Sequence, residues 1–481
     1  MKIPAFFLLP VALIAASGTP DPSTVSALAR QAPAEFAADA MIRLASSAKL
    51  DPGARVKLLT EAFRRAAEAQ HPFKLHGSIT QSGSSGAYLQ RAYRQDLDTL
   101  SLRLRAVQQM LPLDSAKASK LFLSISRPTL PPVHCEEIVV YDVDRYYEGL
   151  GAIAKIGHRN VAKVLKDRVG GITSPAQIAP VARLLAQIGL KDSDLQAFTG
   201  SFASSLRNLA GDDRSFTYYA PITGPAILGL VDELKRRNLS PLPLAEAYRL
   251  YLVHHLTGDR CADGYLIYNG PLTVNLFTGK PTEVLGSNAA TFFTDKIMMP
   301  PLQRFTEQEN TPKSLEGFAG GAHACEDSQC KHLTDLSLSL AVSGPDDTPL
   351  TTSQRDTDAW RAQLQATLVA LEAWQPDKGQ ADNVFRNKTW VYNNLFGMSS
   401  GSSRELVERS WLAYLQQSRS TISDRAQWLL PVSALIGRSA LDSSNTKLAE
   451  LLRQQDDPVI ALYVQVEALA PRGPETILPM L

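Results

Sequence analysis

Asp or Ser stands directly before Pro at Asp51-Pro52, Ser174-Pro175, Ser240-Pro241 and Asp457-Pro458, and an apolar-periodic run follows each pair. After Ser174-Pro175 the apolar residues are Ile178, Val181, Leu184, Leu185 and Ile188, spaced so that they share one face of a helix. A side-chain oxygen ahead of a helix accepts from an otherwise unpaired first-turn amide, and Pro fits the first turn because its missing N–H would be unpaired there. The pattern therefore writes helix starts. Phe36, Ala40, Met41 and Leu44 form another such face, and Leu58, Leu59, Ala62, Phe63 and Ala66 form the next, with Asp51-Pro52-Gly53 between them. Two antiparallel helices are expected there. Repeated along the chain, this pattern predicts an all-α fold, either a multi-helix bundle or an irregular α-solenoid of helix pairs. The starts are unevenly spaced, so no repeat of fixed period is assigned.

The organisation read from the sequence is a helical pair over 19–76, a Gly/Ser linker over 77–90 containing GSITQSGSSG, and a helical region over 91–260. The texture then changes. Residues 261–351 are rich in Gly, Pro, Asp and Thr and read as an irregular, cysteine-containing segment. A small hairpin is expected where Tyr265 to Tyr268 lead into Asn269-Gly270 and on to Leu272, Val274 and Leu276. Trp360, Leu364, Leu368 and Leu371 restore the helical period, and 352–481 reads as a second helical region.

The first 18 residues read as a signal peptide. Met1-Lys2 precedes an apolar run from Ile3 to Ala16, which breaks into Ser17, Gly18, Thr19, Pro20, Asp21 and Pro22. The run is shorter than the ~20 residues needed to cross a bilayer and carries Pro4 and Pro10. An uncleaved anchor or a buried first helix is the alternative. The expected location is periplasmic or secreted, with no membrane span after cleavage. The chain has 49 Lys+Arg and 48 Asp+Glu, so loss of Lys2 with the signal leaves 48 of each. Such a balance gives no basis for nucleic acid as a partner.

The segments EAFRRAAEAQHPF (61–73), RAVQQMLPLDSAKASKLF (105–122), LPPVHCEEIVVYDVDRYYE (130–148) and YLVHHLTGDRCADG (251–264) resemble stretches of uncharacterised exported helical proteins of bacteria. The resemblance covers roughly the first half of the chain. It implies export and helicity, and it assigns no residue a role.

Candidate chemistry concentrates in His323-Ala-Cys325-Glu-Asp-Ser-Gln-Cys330-Lys-His332. Two imidazoles and two thiols make a zinc ligand set, but structural zinc sites space their cysteines more closely and draw ligands from a distant segment. An oxidising compartment favours disulfides. Pairing of Cys325 with Cys330 is therefore preferred to metal binding by His323, Cys325, Cys330 and His332, and Cys135 is expected to pair with Cys261. A Cys/His nucleophile built from Cys135 with His134, or from Cys261 with His254 and His255, is the lesser reading. Those last two histidines are expected at a helix C-terminus, where a cation favours the dipole.

Gly397-Met-Ser399-Ser-Gly401 matches the nucleophile-elbow pattern after a strand-like Trp390-Val391-Tyr392. The last histidine is His332, whereas in that fold the histidine follows the serine. A helix-capping turn through Ser402 or Ser403 is preferred. Ser46-x-x-Lys49 and Ser444-x-x-Lys447 lack the companion motifs of penicillin-recognising enzymes. Asp142 and Asp144 beside Tyr146 and Tyr147 could hold a divalent cation, but a solvated helix start explains them better. No catalytic residue and no cofactor is assigned. The expected function is that of an exported helical scaffold that binds another protein or an envelope component. The alternative is an envelope enzyme or metal-binding protein with its site in 261–351, where Glu326 and Asp327 join His323 and His332 as first suspects.

Overall fold

The computed structural model describes residues 20–47, 49–76, 84–134, 139–155, 161–166, 168–211, 213, 215–257, 328–343, 348–350, 354–441 and 446–473. The fold is all-α. The first half contains α1 (Pro22–Ala29), α2 (Ala34–Ala45), α3 (Pro52–Arg65), α4 (Ser84–Tyr93), α5 (Thr99–Met110) and α6 (Ser115–Leu123). It continues with α7 (Asp144–Lys155), α8 (Val161–Lys166), α9 (Ile178–Gln187), α10 (Asp192–Arg207), α11 (Ser215–Arg236) and α12 (Leu242–Thr257). The second half contains α13 (Ser328–Ser339), α14 (Asp358–Ala373), α15 (Ala381–Met398), α16 (Gly401–Ser418), α17 (Arg425–Leu441), α18 (Thr446–Arg453) and α19 (Pro458–Leu469). Strands β1 (Lys74–His76) and β2 (Val140–Asp142) pair antiparallel with Lys74 opposite Asp142, and the short β3 (Val342–Ser343) and β4 (Thr348–Pro349) pair likewise.

The helix starts follow the capping chemistry. Asp51 accepts from the Ala54 amide at 2.9 Å, and Asp457 accepts from the amides of Val459 and Ile460 at 2.8 and 3.1 Å. Ser174 and Gln177 form a reciprocal capping box around the short turn Pro175–Gln177, which feeds α9. α2 and α3 pack as the expected pair.

Two apolar cores result. One is built from α1 to α3 and α5 to α12 around Met41, Leu59, Phe122, Tyr146, Phe202 and Tyr248, whereas α4 gives Tyr88 and Ala92 to the other. The other gathers Trp360, Trp374, Phe385, Tyr392, Trp411 and Trp428 from the second half. Phe36 of α2 belongs to the second core, while Leu462, Val466 and Leu469 of α19 belong to the first. The two halves are thereby stitched at both ends of the sequence.

Several expectations need correction. Residues 328–339 are helical rather than irregular, because Cys330, Leu333, Thr334 and Ser337 present a buried face three and four apart. The linker is shorter than expected, since α4 begins at Ser84 and buries Tyr88, Leu89 and Ala92. Trp390-Val391-Tyr392 lies inside α15, not in a strand, because burial of Val391 and Tyr392 against the second core outweighs their β preference. Ser400 occupies the N-cap position of α16 and makes no side-chain cap bond, so the expected capping by Ser402 or Ser403 does not occur. The expected hairpin at 265–277 lies outside the described residues. No helix among the described residues is long and apolar enough to cross a membrane.

Candidate functional site

A groove of about 390 Å³ lies between α7 and α9. Its floor follows from two helical rows. Pro180 and Leu184 recur one turn apart on α9, with Ile188 next in the row at its C-cap, and Tyr147 and Gly151 stand one turn apart on α7. Gly151 lets the helices approach: a Cβ there would stand 3.1 Å from Leu184 Cδ1. The rim is charged. Asp144, Glu148 and Lys155 line one wall, and Arg183 with Gln187 lines the other. Arg183 bridges the mouth, its guanidinium donating to Asp144 Oδ2 at 2.8 Å. Burial raises the Asp144 carboxyl above its ordinary value, and Asp142 and Glu148 add to the rise against the pull of Arg183.

A polar network continues from this rim along the β1–β2 pair. Asp142 accepts from the Asp144 amide at 3.1 Å, starting α7, and faces Lys74 Nζ at 3.6 Å across the strands. Lys74 also meets Asp96 at 2.9 Å, and Asp96 takes Arg145 at 2.8 Å. Burial lowers the Lys74 amine, but Asp96 and then Asp142 more than offset it, and its pKa stands above the ordinary lysine value. Asp96 adopts a left-handed backbone with φ 55°, a conformation Asp tolerates better than most residues. The reading of Asp142 and Asp144 as a cation pair does not hold here, because each carboxylate is turned to a separate basic side chain.

A second polar cluster sits where the halves meet. His71 Nε2 lies 3.5 Å from Asp424 Oδ1, an ion-pair distance that is too long and too poorly aimed for a hydrogen bond. Asp424 raises the His71 imidazole above its usual value in spite of burial. Tyr93, Asp98 and Ala426 line the same small recess.

Of the residues singled out in the sequence, Cys330 and His332 fall on α13. Cys330 is 3% exposed and is not a free thiol, whereas His332 is exposed to solvent. Two positions apart on a helix, they point to different sides and do not converge on one ion. His323, Cys325, Glu326, Asp327, Cys135 and Cys261 lie outside the described residues. His254 and His255 occupy the last turn of α12 as expected: His254 is exposed, and His255 is buried against Phe216 and Tyr251 with ring centres 4.8 and 4.2 Å away. Among the described residues no group of three His, Cys, Asp or Glu side chains is arranged to hold a metal ion.

Arg183, Gln187 and Lys155 were not legible as site residues. Their sequence signal is that of any solvated helix face, and only the approach of α7 to α9 makes them a rim. The chain matches no family model, no curated protein and no solved structure.

Proposed function

We propose that the chain is an exported helical scaffold that binds a macromolecular partner, seating an apolar side chain of that partner in the α7/α9 groove. The observation that carries the reading is the groove itself, with an apolar floor of Tyr147, Gly151, Pro180, Leu184 and Ile188 under a rim of opposed charges. Burial of an apolar anchor supplies affinity, and the rim charges fix its orientation. Export is supported by the short apolar run after Lys2 and its polar break at Ser17.

The test is a displayed-peptide selection on the purified protein, repeated with Ala152→Arg, which fills the groove from its half-buried edge. Selected peptides that carry an apolar anchor and bind the variant at least tenfold more weakly, at unchanged melting temperature, support the reading. Peptides that bind both proteins equally overturn it.

A further inference from the structure

The α7/α9 groove is bipolar along its length. Asp144, the first residue of α7, and Glu148 one turn on give one end a negative wall, and Lys155, the last residue of α7, gives the other end a positive one. Arg183 answers only Asp144, to which its guanidinium is committed at 2.8 Å. Glu148 and Lys155 are exposed, and among the described residues neither has an ion-pair or hydrogen-bond partner. One open negative and one open positive charge therefore remain on the rim. They stand two turns apart on the same side of one helix, about 10 Å along its axis. Between them the floor is apolar, with Tyr147 and Leu184 buried, and Gly151 and Ala152 keep the α7 wall low.

The walls also select a kind of backbone. Both are helices, whose amides and carbonyls are bonded internally, so they offer an incoming chain almost no main-chain partner. Gln187, exposed on the α9 side, is the single carboxamide among the lining residues. An extended segment lying there would have to leave its N–H and C=O groups to water or bury them unpaired, whereas a helix arrives with its own groups bonded. A helix laid in such a groove presents side chains at i, i+3 or i+4, and i+7. That spacing matches the two turns from Glu148 to Lys155.

We propose, on the reading of this groove as the docking site, that the partner element seated in it is an amphipathic helix carrying a basic side chain, an apolar anchor one turn on and an acidic side chain a further turn on. The base lies against Glu148 and the acid against Lys155. Rim pairs of this kind contribute little affinity each, and they set the direction of the helix and the choice of partner. A helix with two bases or two acids meets a like charge at one end and is rejected.

The probe is a displayed library of helical peptides with a fixed leucine anchor and Lys, Glu or Gln one turn before it and one turn after it. Selection on the full protein is expected to enrich helices with Lys on one side of the anchor and Glu on the other. Fluorescence anisotropy then compares the enriched peptide on the unchanged protein, on Glu148→Lys, on Lys155→Glu and on the double exchange. Each single exchange is expected to weaken binding about fivefold at low salt, and the differences should shrink at high salt. The double exchange is expected to recover most of the loss, because the helix can bind in the reverse direction, and a folding defect would show no such recovery. Enrichment of uncharged or like-charged helices, an empty selection, or equal affinity for all four proteins overturns the proposal. Ala152→Arg keeps the two readings apart. Peptides that lose affinity on it but ignore the charge exchanges refute the bipolar helix alone, and peptides indifferent to it remove the docking site as well. A dimer of the free protein that Ala152→Arg dissociates would make the occupant a second copy, and it too overturns the proposal.

Discussion

At the scale of the residue, burial sets the charge of Lys388 against the stability of its surroundings. Its pKa is about 8 when folded against an ordinary 10.5. Between those values the unfolded chain holds more protons than the folded one, so this residue's contribution rises with pH across that window. Below pH 8 the penalty is present in full. Each unit corresponds to about 1.4 kcal/mol, so the total is on the order of 3 kcal/mol. Lys388→Met is expected to raise the unfolding free energy by about that amount at pH 7, and the gain should fade as pH approaches 10.5. Urea titrations of both proteins across that range check it. Nothing local announces this lysine, because Asn387-Lys388-Thr389 reads as a solvated helix face. Its burial is decided by Trp374 and Tyr414, which lie on other segments. The groove rim is illegible for the same reason, since Asp144 and Arg183 stand 39 positions apart.

Among the elements, the helix starts were the most legible part of the fold, because a cap is a contact within three or four residues and its whole mechanism is written in the chain. Asp51→Ala is expected to cost about 1 kcal/mol through loss of the bond to the Ala54 amide. Asp98 shows where the same chemistry meets burial. It caps α5 through the Ser101 amide at 2.8 Å, yet it is 6% exposed, and desolvation with help from Asp96 raises its carboxyl to about 6. A raised carboxyl means that the folded state binds the proton more tightly, so stability falls as pH rises from about 4 to 6. Asp98→Asn keeps an acceptor for the amide and removes the charge. It is expected to stabilise the protein by about 1 to 2 kcal/mol at pH 7 and to be neutral near pH 3.5, as read by chemical unfolding at the two pH values. The stretch Trp390 to Tyr392 shows the opposite limit, because its β-type composition was overruled by the core it packs into.

Across the whole molecule, the two halves are joined by polar contacts between residues more than 300 positions apart. Asp39, held within the first half by Arg105, accepts from the Tyr463 hydroxyl at 3.0 Å, Arg43 meets Glu467 at 2.5 Å, and Arg425 meets Glu35 at 3.0 Å. Tyr88 donates to the Gln427 carbonyl at 2.6 Å, and Gln95 to that of Ala426 at 2.7 Å. The Asp39 and Glu467 carboxyls are desolvated, but Arg105 and Arg43 hold them below their ordinary values. Their contribution is therefore present above about pH 4 and is lost on acidification. His71 acts in the opposite sense. Raised by Asp424, it stabilises below about pH 6.5 and stops as pH climbs through its folded value. His71→Asn is expected to lower the melting temperature by a few degrees at pH 5.5 and hardly at all at pH 9, measured by calorimetry. None of this seam was visible in the sequence, since pairing across such separations leaves no periodic trace.

The division of α19 between the two cores bears on how the chain is made. Leu462, Val466 and Leu469 complete a core whose other members, among the described residues, end at Leu252, so the first half lacks part of its interior until α19 has been synthesised. Synthesis alone therefore does not let the first half close its core ahead of the rest. A core completed by so distant a segment ties the folding of both halves into one cooperative step, because neither can reach its full burial while the other is open.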